Sequence, residues 1–220
     1  MDWRFFPSLS GGGRKVGDFE EERFMAVVLQ KLGDIAHIYT GVPTKESDTQ
    51  KVGRSGNVLT VRSLTGTDID ANILSIVDFD GRDVEKYRVT TGDVLLSSRS
   101  TSLKTAIVPE ELNGVVINAT LLGIRCLPTL EPRLLIAWLN HPEGQAALAN
   151  VSQSATAQMN ITIAGLGKLE VPVPPMDVQK RMVELLEVTD EVYAAAIKAA
   201  EGRRRLARHI VIAQLMNARS

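Results

Sequence analysis

Cysteine is almost missing from this chain. Cys126 is the only one in 220 residues, so no intrachain disulfide can form and no cysteine-based zinc site can be built. Aromatic residues are scarce, at 5%. No run approaches the roughly 18 consecutive apolar residues that a membrane span needs. The opening residues, MDWRFFPSLSGGGRK, lack a basic start followed by an apolar run, so no secretory signal is expected. An excess of charge is missing too: 25 basic residues face 26 acidic ones, giving a net charge of −1. That balance argues against an indiscriminate polyanion binder, yet it leaves room for one local basic face.

Familiar catalytic signatures are absent as well. Gly11-Gly12-Gly13-Arg14-Lys15 lacks the Gly-Lys-Ser/Thr ending and the preceding strand of a phosphate loop, and reads as flexible linker. Neither a GxSxG elbow nor a GxGxxG turn occurs. His37, His141 and His209 lie far apart and fit no metal spacing. Pro174-Pro175 lacks both the preceding Asn/Asp and the following aromatic residue of an amino-methyltransferase tetrapeptide. A non-catalytic chain without its own cofactor or metal is therefore expected.

What is present is a globular composition, with 44% hydrophobic and 23% charged residues. Those figures exclude a mainly disordered protein and fit a cytoplasmic one. Residues 1–24 are glycine-rich and then acidic, and read as a lead-in segment. Residues 25–176 read as one β-rich domain with helices on one side. Short strands are expected at Val27–Leu29, Asn57–Ser63, Tyr87–Val89, Val94–Ser98, Thr105–Val108, Val115–Ile117 and Leu121–Cys126. Helical spacing is read at Leu32–Tyr39, Pro132–Leu139 and Pro142–Asn150. Residues 152–160 are polar and loop-like.

Pro172, Pro174 and Pro175 predict a stiff extended connector. Residues 177–220 then contain no proline and one glycine, Gly202. Met182, Leu185, Leu186, Val192, Ala196, Ala199, Leu206 and Ile210 recur at helical spacing. The resulting stripe is about 60 Å long, too long for a domain of this size to cover. A partner helix is expected, from a fold-back, a second copy or another chain. The fold class is therefore α+β: a mixed or antiparallel recognition domain followed by one long coiled-coil-type helix.

Three segments resemble the specificity subunit of type I restriction-modification systems. One is QMNIT followed by LGKLEVPVPPMDVQKRMVELLE, with Gln158, Asn160, Ile161, the Val171–Pro175 run and Gln179 at the matching positions. Another is GDVLLSSRSTSLKTAIV at residues 92–108, and the third is LGDIAHIYTGVPT at residues 32–44. The acidic residue that usually sits directly before the helix-opening glutamine is displaced, since the order here is Asp177-Val178-Gln179. A full-length member carries two target recognition domains and two spacer helices, whereas this chain carries one of each. The resemblance therefore implies a half subunit that must pair to read a two-part site in double-stranded DNA. It also implies a DNA methyltransferase partner, which would hold S-adenosylmethionine, and a nuclease or translocase in the same assembly.

Candidate DNA contacts follow from side-chain chemistry. Ser97–Thr105 carries six hydroxyls, Arg99 and Lys104, and no acid. Within it Ser97, Ser98 and Ser100 are hydrogen-bonding candidates, Arg99 suits guanine O6/N7, and Lys104 suits phosphate. Gln158 and Asn160 suit adenine N6/N7. Thr44, Lys45, Lys51 and Arg54 flank a glycine-containing loop and suit phosphates. The run Arg203-Arg204-Arg205 with Arg208 offers a late basic helix face. Each group has a plainer reading as a solvated edge, a turn or a cap. The competing function is a coiled-coil scaffold without DNA binding. The scaffold reading gains if the Ser97–Thr105 and Gln158–Asn160 segments are buried or turned away from each other in space.

Overall fold

The structure is a computed structural model that describes residues 27–44, 55–79, 81–100, 102–152 and 159–217. The lead-in 1–24 lies outside these residues. The first half contains β1 (Val28–Lys31), α1 (Leu32–Ile35), β2 (Ala36–Thr40), β3 (Ser55–Leu59), β4 (Leu64–Thr65), β5 (Asp68–Ile69) and β6 (Ser75–Asp78). Next come β7 (Val94–Ser97), β8 (Arg99–Ser100), β9 (Thr105–Ile107), β10 (Val116–Ile117) and β11 (Leu121–Cys126). The remainder is α2 (Pro132–Asn140), α3 (Pro142–Val151), β12 (Met159–Asn160), α4 (Ile163–Gly167), β13 (Glu170–Val173) and α5 (Met176–Asn217).

The centre is a four-stranded antiparallel sheet in the order β2-β11-β7-β9. β7 is buried along its whole length, and its successive side chains point to opposite faces. Val94 and Leu96 join Leu122, Ile124, Leu135, Leu139, Leu148 and Leu166 in a core roofed by α2, α3 and α4. Leu95 points the other way, into a second core with Leu59, Leu64, Ile117 and Leu121. A three-stranded mixed sheet, β10-β3-β6, adjoins that second core, with β10 parallel and β6 antiparallel to β3. The expected α+β class, with helices on one side of the central sheet and a long helix at the end, is what the structure shows.

Several local expectations change. Leu32–Tyr39 is not one helix. It makes a single turn at α1 and then the strand β2, because five consecutive residues of β2 pair with β11. Long-range pairing here overrides helical spacing. Tyr87–Val89 is not a strand: a 3-10 turn at Glu85–Tyr87 leads into a single bridge, Arg88 to Val116. The chain then turns tightly at Thr90–Asp93, with the Asp93 amide donating to Thr90 O at 2.9 Å and Gly92 at φ 86°, a conformation that glycine adopts without strain. The proline-rich connector is half strand, since Pro172 in β13 faces Leu29 in β1. Proline fits there because β1 and β13 form only a two-stranded sheet, with an edge that needs no amide.

One buried polar cluster ties the central sheet together. Asp93 is 2% exposed. Its carboxylate accepts from Tyr39 Oη at 2.6 Å, from Arg125 Nε at 2.8 Å and Nη2 at 2.7 Å, and from the Thr90 amide at 2.8 Å. The Arg125 guanidinium also lies 5.5 Å from the centre of the Tyr39 ring. Burial, then the hydrogen bond to Asp93, holds the Tyr39 hydroxyl well above its usual titration range. Gly123 is the cross-strand partner of Tyr39. A Cβ there would sit 2.2 Å from Tyr39 Cζ, so only glycine leaves room for the ring. Burial pushes the neighbouring Cys126 thiol up to about 12, which keeps it neutral.

Candidate nucleic-acid interface

The β7–β9 hairpin rises from the central sheet and ends in a polar tip. Ser97 and Ser98 lie at its base and are both buried. The Ser97 hydroxyl accepts from the Lys104 amide at 3.0 Å, and the Ser98 hydroxyl donates to Ala119 O at 3.1 Å. These two serines, read from sequence as DNA contacts, are in the structure the internal fastening of the hairpin. Lys104 also turns inward. Its ammonium donates to Leu64 O at 3.0 Å and reaches Val61 O at 3.5 Å. It holds the 61–64 turn against the hairpin and does not stand out toward solvent.

Arg99 is different. It is exposed, and no ion pair or hydrogen bond of its guanidinium occurs among the described residues. β8 pairs antiparallel with β12, which sets Arg99 directly opposite Asn160 and Ser100 opposite Met159. Directly opposed residues of an antiparallel pair share a face, with Cβ atoms about 4.5–5.5 Å apart. The Ile161 amide donates to Ser98 O at 2.8 Å and locks the ribbon to the hairpin base. Two polar segments 60 residues apart in sequence thus present a guanidinium and a carboxamide side by side. Thr44 is half-buried at the end of the β2 segment. Lys45, Lys51, Arg54 and Gln158 lie outside the described residues.

Sequence reasoning missed Arg62. It is exposed on the 3-10 turn Val61–Ser63, which Thr60 caps and Lys104 grips. The Val61 amide donates to the Thr120 hydroxyl at 3.3 Å, and the Ser98 amide donates to Thr120 O at 2.9 Å. Arg62 therefore belongs to the same edge as the Arg99 hairpin. The sequence signal was the Thr60-x-x-Ser63 capping pattern, which fixes the turn but does not reveal its neighbour. Such an edge supplies hydrogen-bond donors that base edges and phosphates can accept. Among the described residues no group of His, Cys, Asp and Glu could hold a metal ion.

The second notable surface is α5. From residue 187 to residue 216 every side chain is exposed. Leu185 is 68% exposed, Val192 65% and Leu206 60%, and Ile210, Ala196 and Ala199 are open as well. Met182 and Leu186, nearer the domain, are half-buried. At 1.5 Å per residue the 42-residue helix is about 63 Å long.

A ribbon carrying the exposed Arg99 guanidinium, in a chain that also carries a long uncovered helix, is the context in which comparison with known proteins becomes informative. Residues 27–200 match the family model of the type I restriction modification DNA specificity domain. The chain belongs to that family. A Methanocaldococcus jannaschii chain that carries the name type I restriction enzyme MjaX specificity subunit is 25% identical over 178 residues, covering 79% of this chain and 41% of its own length. The crystal structure of the HsdS subunit from Thermoanaerobacter tengcongensis superposes with a TM-score of 0.55 at 22% identity, covering 77% of this chain and 38% of that one. A chain from a structure titled for the assembly and conformational transition of the type I R-M system gives 0.61 at 22% identity, covering 83% and 43%. The chain thus spans about two fifths of each of these relatives. Within the specificity-domain family the two solved structures establish the fold. The candidate contacts rest on the local geometry above. No described helix is long and apolar enough to cross a membrane.

Proposed function

We propose that this chain is a non-catalytic, cytoplasmic DNA-recognition subunit that reads one half of a two-part site. The carrying observation is the Arg99–Asn160 ribbon pair, held on a rigid base. A two-stranded β-ribbon fits the major groove of B-DNA, where Arg reads guanine and Asn reads adenine by paired hydrogen bonds. Arg62 shares the hairpin edge with that pair and Ser100 lies within the ribbon, and Thr44, Lys45 and Gln158 are proposed as further contacts. The meeting of Arg99 with Asn160 favours DNA reading over a pure scaffold.

The uncovered stripe on α5 supports pairing of two such helices. Residues 177–191 carry five acids and two bases, and residues 198–217 carry five bases and one acid. Antiparallel packing sets unlike ends together, and parallel packing sets like ends together. A two-fold antiparallel pair would hold two recognition domains a fixed distance apart and make the outer parts of the site symmetric. A near-neutral subunit suits an assembly in which a methyltransferase partner, carrying S-adenosylmethionine, clamps the duplex beside it. A nuclease or translocase subunit would join the same complex.

The test is selection from a random pool of duplexes with the purified chain and its co-purifying partners. Enrichment of two short motifs around a fixed gap supports the reading, and an unenriched pool overturns it. Within a selected site, Arg99→Ala should cost about 1–3 kcal/mol at one base position and little on unrelated DNA. A uniform loss across sequences, measured in parallel titrations, would instead make Arg99 a phosphate contact.

A further inference from the structure

Among the described residues, two polar attachments join the recognition domain to α5. The first is Gln179, in the opening turn of the helix and 1% exposed. Its side-chain oxygen accepts from the Glu131 amide at 2.9 Å. Its amide nitrogen donates to Thr129 O at 3.0 Å and to Pro174 O at 2.8 Å. One side chain thereby binds the start of α5 to the loop that starts α2, with both its donors and its acceptor in use. Val178 beside it is also buried.

The second point lies farther along. Arg133, in the first turn of α2, reaches Glu187 Oε1 at 3.3 Å and Asp190 Oδ2 at 3.7 Å. Those acids follow Gln179 by 8 and 11 residues, or about 12–17 Å along the axis. Between α2 and α5 lies an open groove of about 1060 Å³, lined in part by Ile136, Ala137, Leu186, Tyr193 and Ala194. Packing therefore does not fix the angle between the two helices at that height. Gln179, Val178 and the half-buried Met182 and Leu186 hold the first turns, and Arg133 adds the polar attachment farthest along the axis, where it has the most leverage on the direction of the helix.

We infer that Arg133 and Gln179 are positioning residues that set which gap length between half-sites the paired chains accept. The inference rests on the reading given under Proposed function. Lever geometry shows why the joint matters. The midpoint of α5 lies about 30 Å from its start. A tilt of about 7° at the joint moves that midpoint by about 3.4 Å, the rise of one base pair. One added base pair also rotates the second half-site by about 35°. A joint loosened by a few degrees therefore blurs the choice between adjacent gap lengths.

The experiment uses the full chain with its co-purifying partners and the half-sites selected by the wild-type protein. Duplexes carry those half-sites at the selected gap and at gaps one and two base pairs shorter or longer. The wild type should favour one gap over its neighbours by about tenfold, a misfit of the size that DNA deformation imposes. Arg133→Glu should flatten that profile to within about threefold while preferring the same half-site bases. Arg133→Glu combined with Glu187→Arg should sharpen it again, which a merely structural defect would not do. Gln179→Ala should flatten it too. Arg133 is half-exposed, so its variant keeps the test informative where the buried Gln179 change unfolds the domain.

An Arg133→Glu profile as sharp as the wild type's overturns the inference and leaves the DNA-reading function standing. Loss of half-site preference along with gap preference also overturns it, because Arg133 would then act at the DNA or on the fold. A wild-type chain that selects half-sites without a preferred gap overturns it as well. A wild-type chain that selects no half-sites overturns the proposed function itself.

Discussion

A chain ending at Ala195 should stay folded, become monomeric, and bind a two-part site about 10²–10⁴ times more weakly than the intact chain. On the proposed pairing the loss comes from linkage, since two recognition domains on one rigid frame would engage the second half-site at a high effective concentration. The shortened chain keeps every described attachment of α5 to the domain: Val178, Gln179 and the acids Glu187 and Asp190 that face Arg133. It loses most of the open stripe, including Ala196, Ala199, Leu206 and Ile210, and keeps Leu185 and Val192. Light scattering reads the mass, and titration against a one-half and a two-half site reads the linkage. A shortened chain that still dimerises would show that the stripe beyond residue 195 is not the interface.

Where the cut is placed matters. A composition boundary at residue 176 suggests ending the domain at Pro175. That cut would strip Gln179 from the Glu131 amide and from the carbonyls of Thr129 and Pro174, and would uncover the core that Val178 covers. Of these groups the Pro174 carbonyl is buried, and a buried group left without a partner costs about 1–3 kcal/mol. The chain ending at Pro175 should therefore be markedly less stable than the one ending at Ala195. The first turns of the helix therefore belong to the recognition domain, and from residue 187 to residue 216 its side chains are exposed.

The sequence was most legible where structure is local. α2 and α3 each open on a proline at the first helical position, and both lie where helical spacing placed them. α5 was legible from period alone. β2 was not: Ala36–Thr40 has helical spacing, and only its five pairs with β11 make it a strand. The site was half legible for a similar reason. Hydroxyl-rich segments announce hydrogen bonding without saying to what, because serine bonds backbone as readily as ligand. Ser97 and Ser98 turn inward while Arg99, one residue on, stays out, because β7 ends at Ser97 and the chain bends at Ser98 before β8 begins, a break that alternation in the sequence does not mark. Lys104 carried the right charge for phosphate, but its reach to Leu64 O comes from a turn 40 residues away. Gln179 stood out by resemblance, although its role as a joint needs the Thr129–Glu131 loop to be seen beside it.

Replacing Asp93 by alanine should lower the stability of the domain by about 3 kcal/mol, the low end of the range for breaking a buried ion pair. The carboxylate answers four donors: Tyr39 Oη, Arg125 Nε and Nη2, and the Thr90 amide. Alanine leaves the Tyr39 hydroxyl buried beside an apolar core without an acceptor. It also leaves Arg125 without its counter-charge, although that side chain is 44% exposed and recovers part of the loss from water. The discount for that exposure is what places the expected value at the low end. Tyr39→Phe removes one donor and keeps the Asp93–Arg125 pair, so it should cost only about 1 kcal/mol. Urea denaturation of the two variants reads the difference as separate midpoints at a common slope. Equal losses would mean that the Asp93–Arg125 pair contributes nothing, and that the central sheet is held by packing alone. A loss three times larger for Asp93→Ala would identify this cluster as what fixes β2, β7 and β11 together, and so what holds the base of the hairpin carrying Arg99.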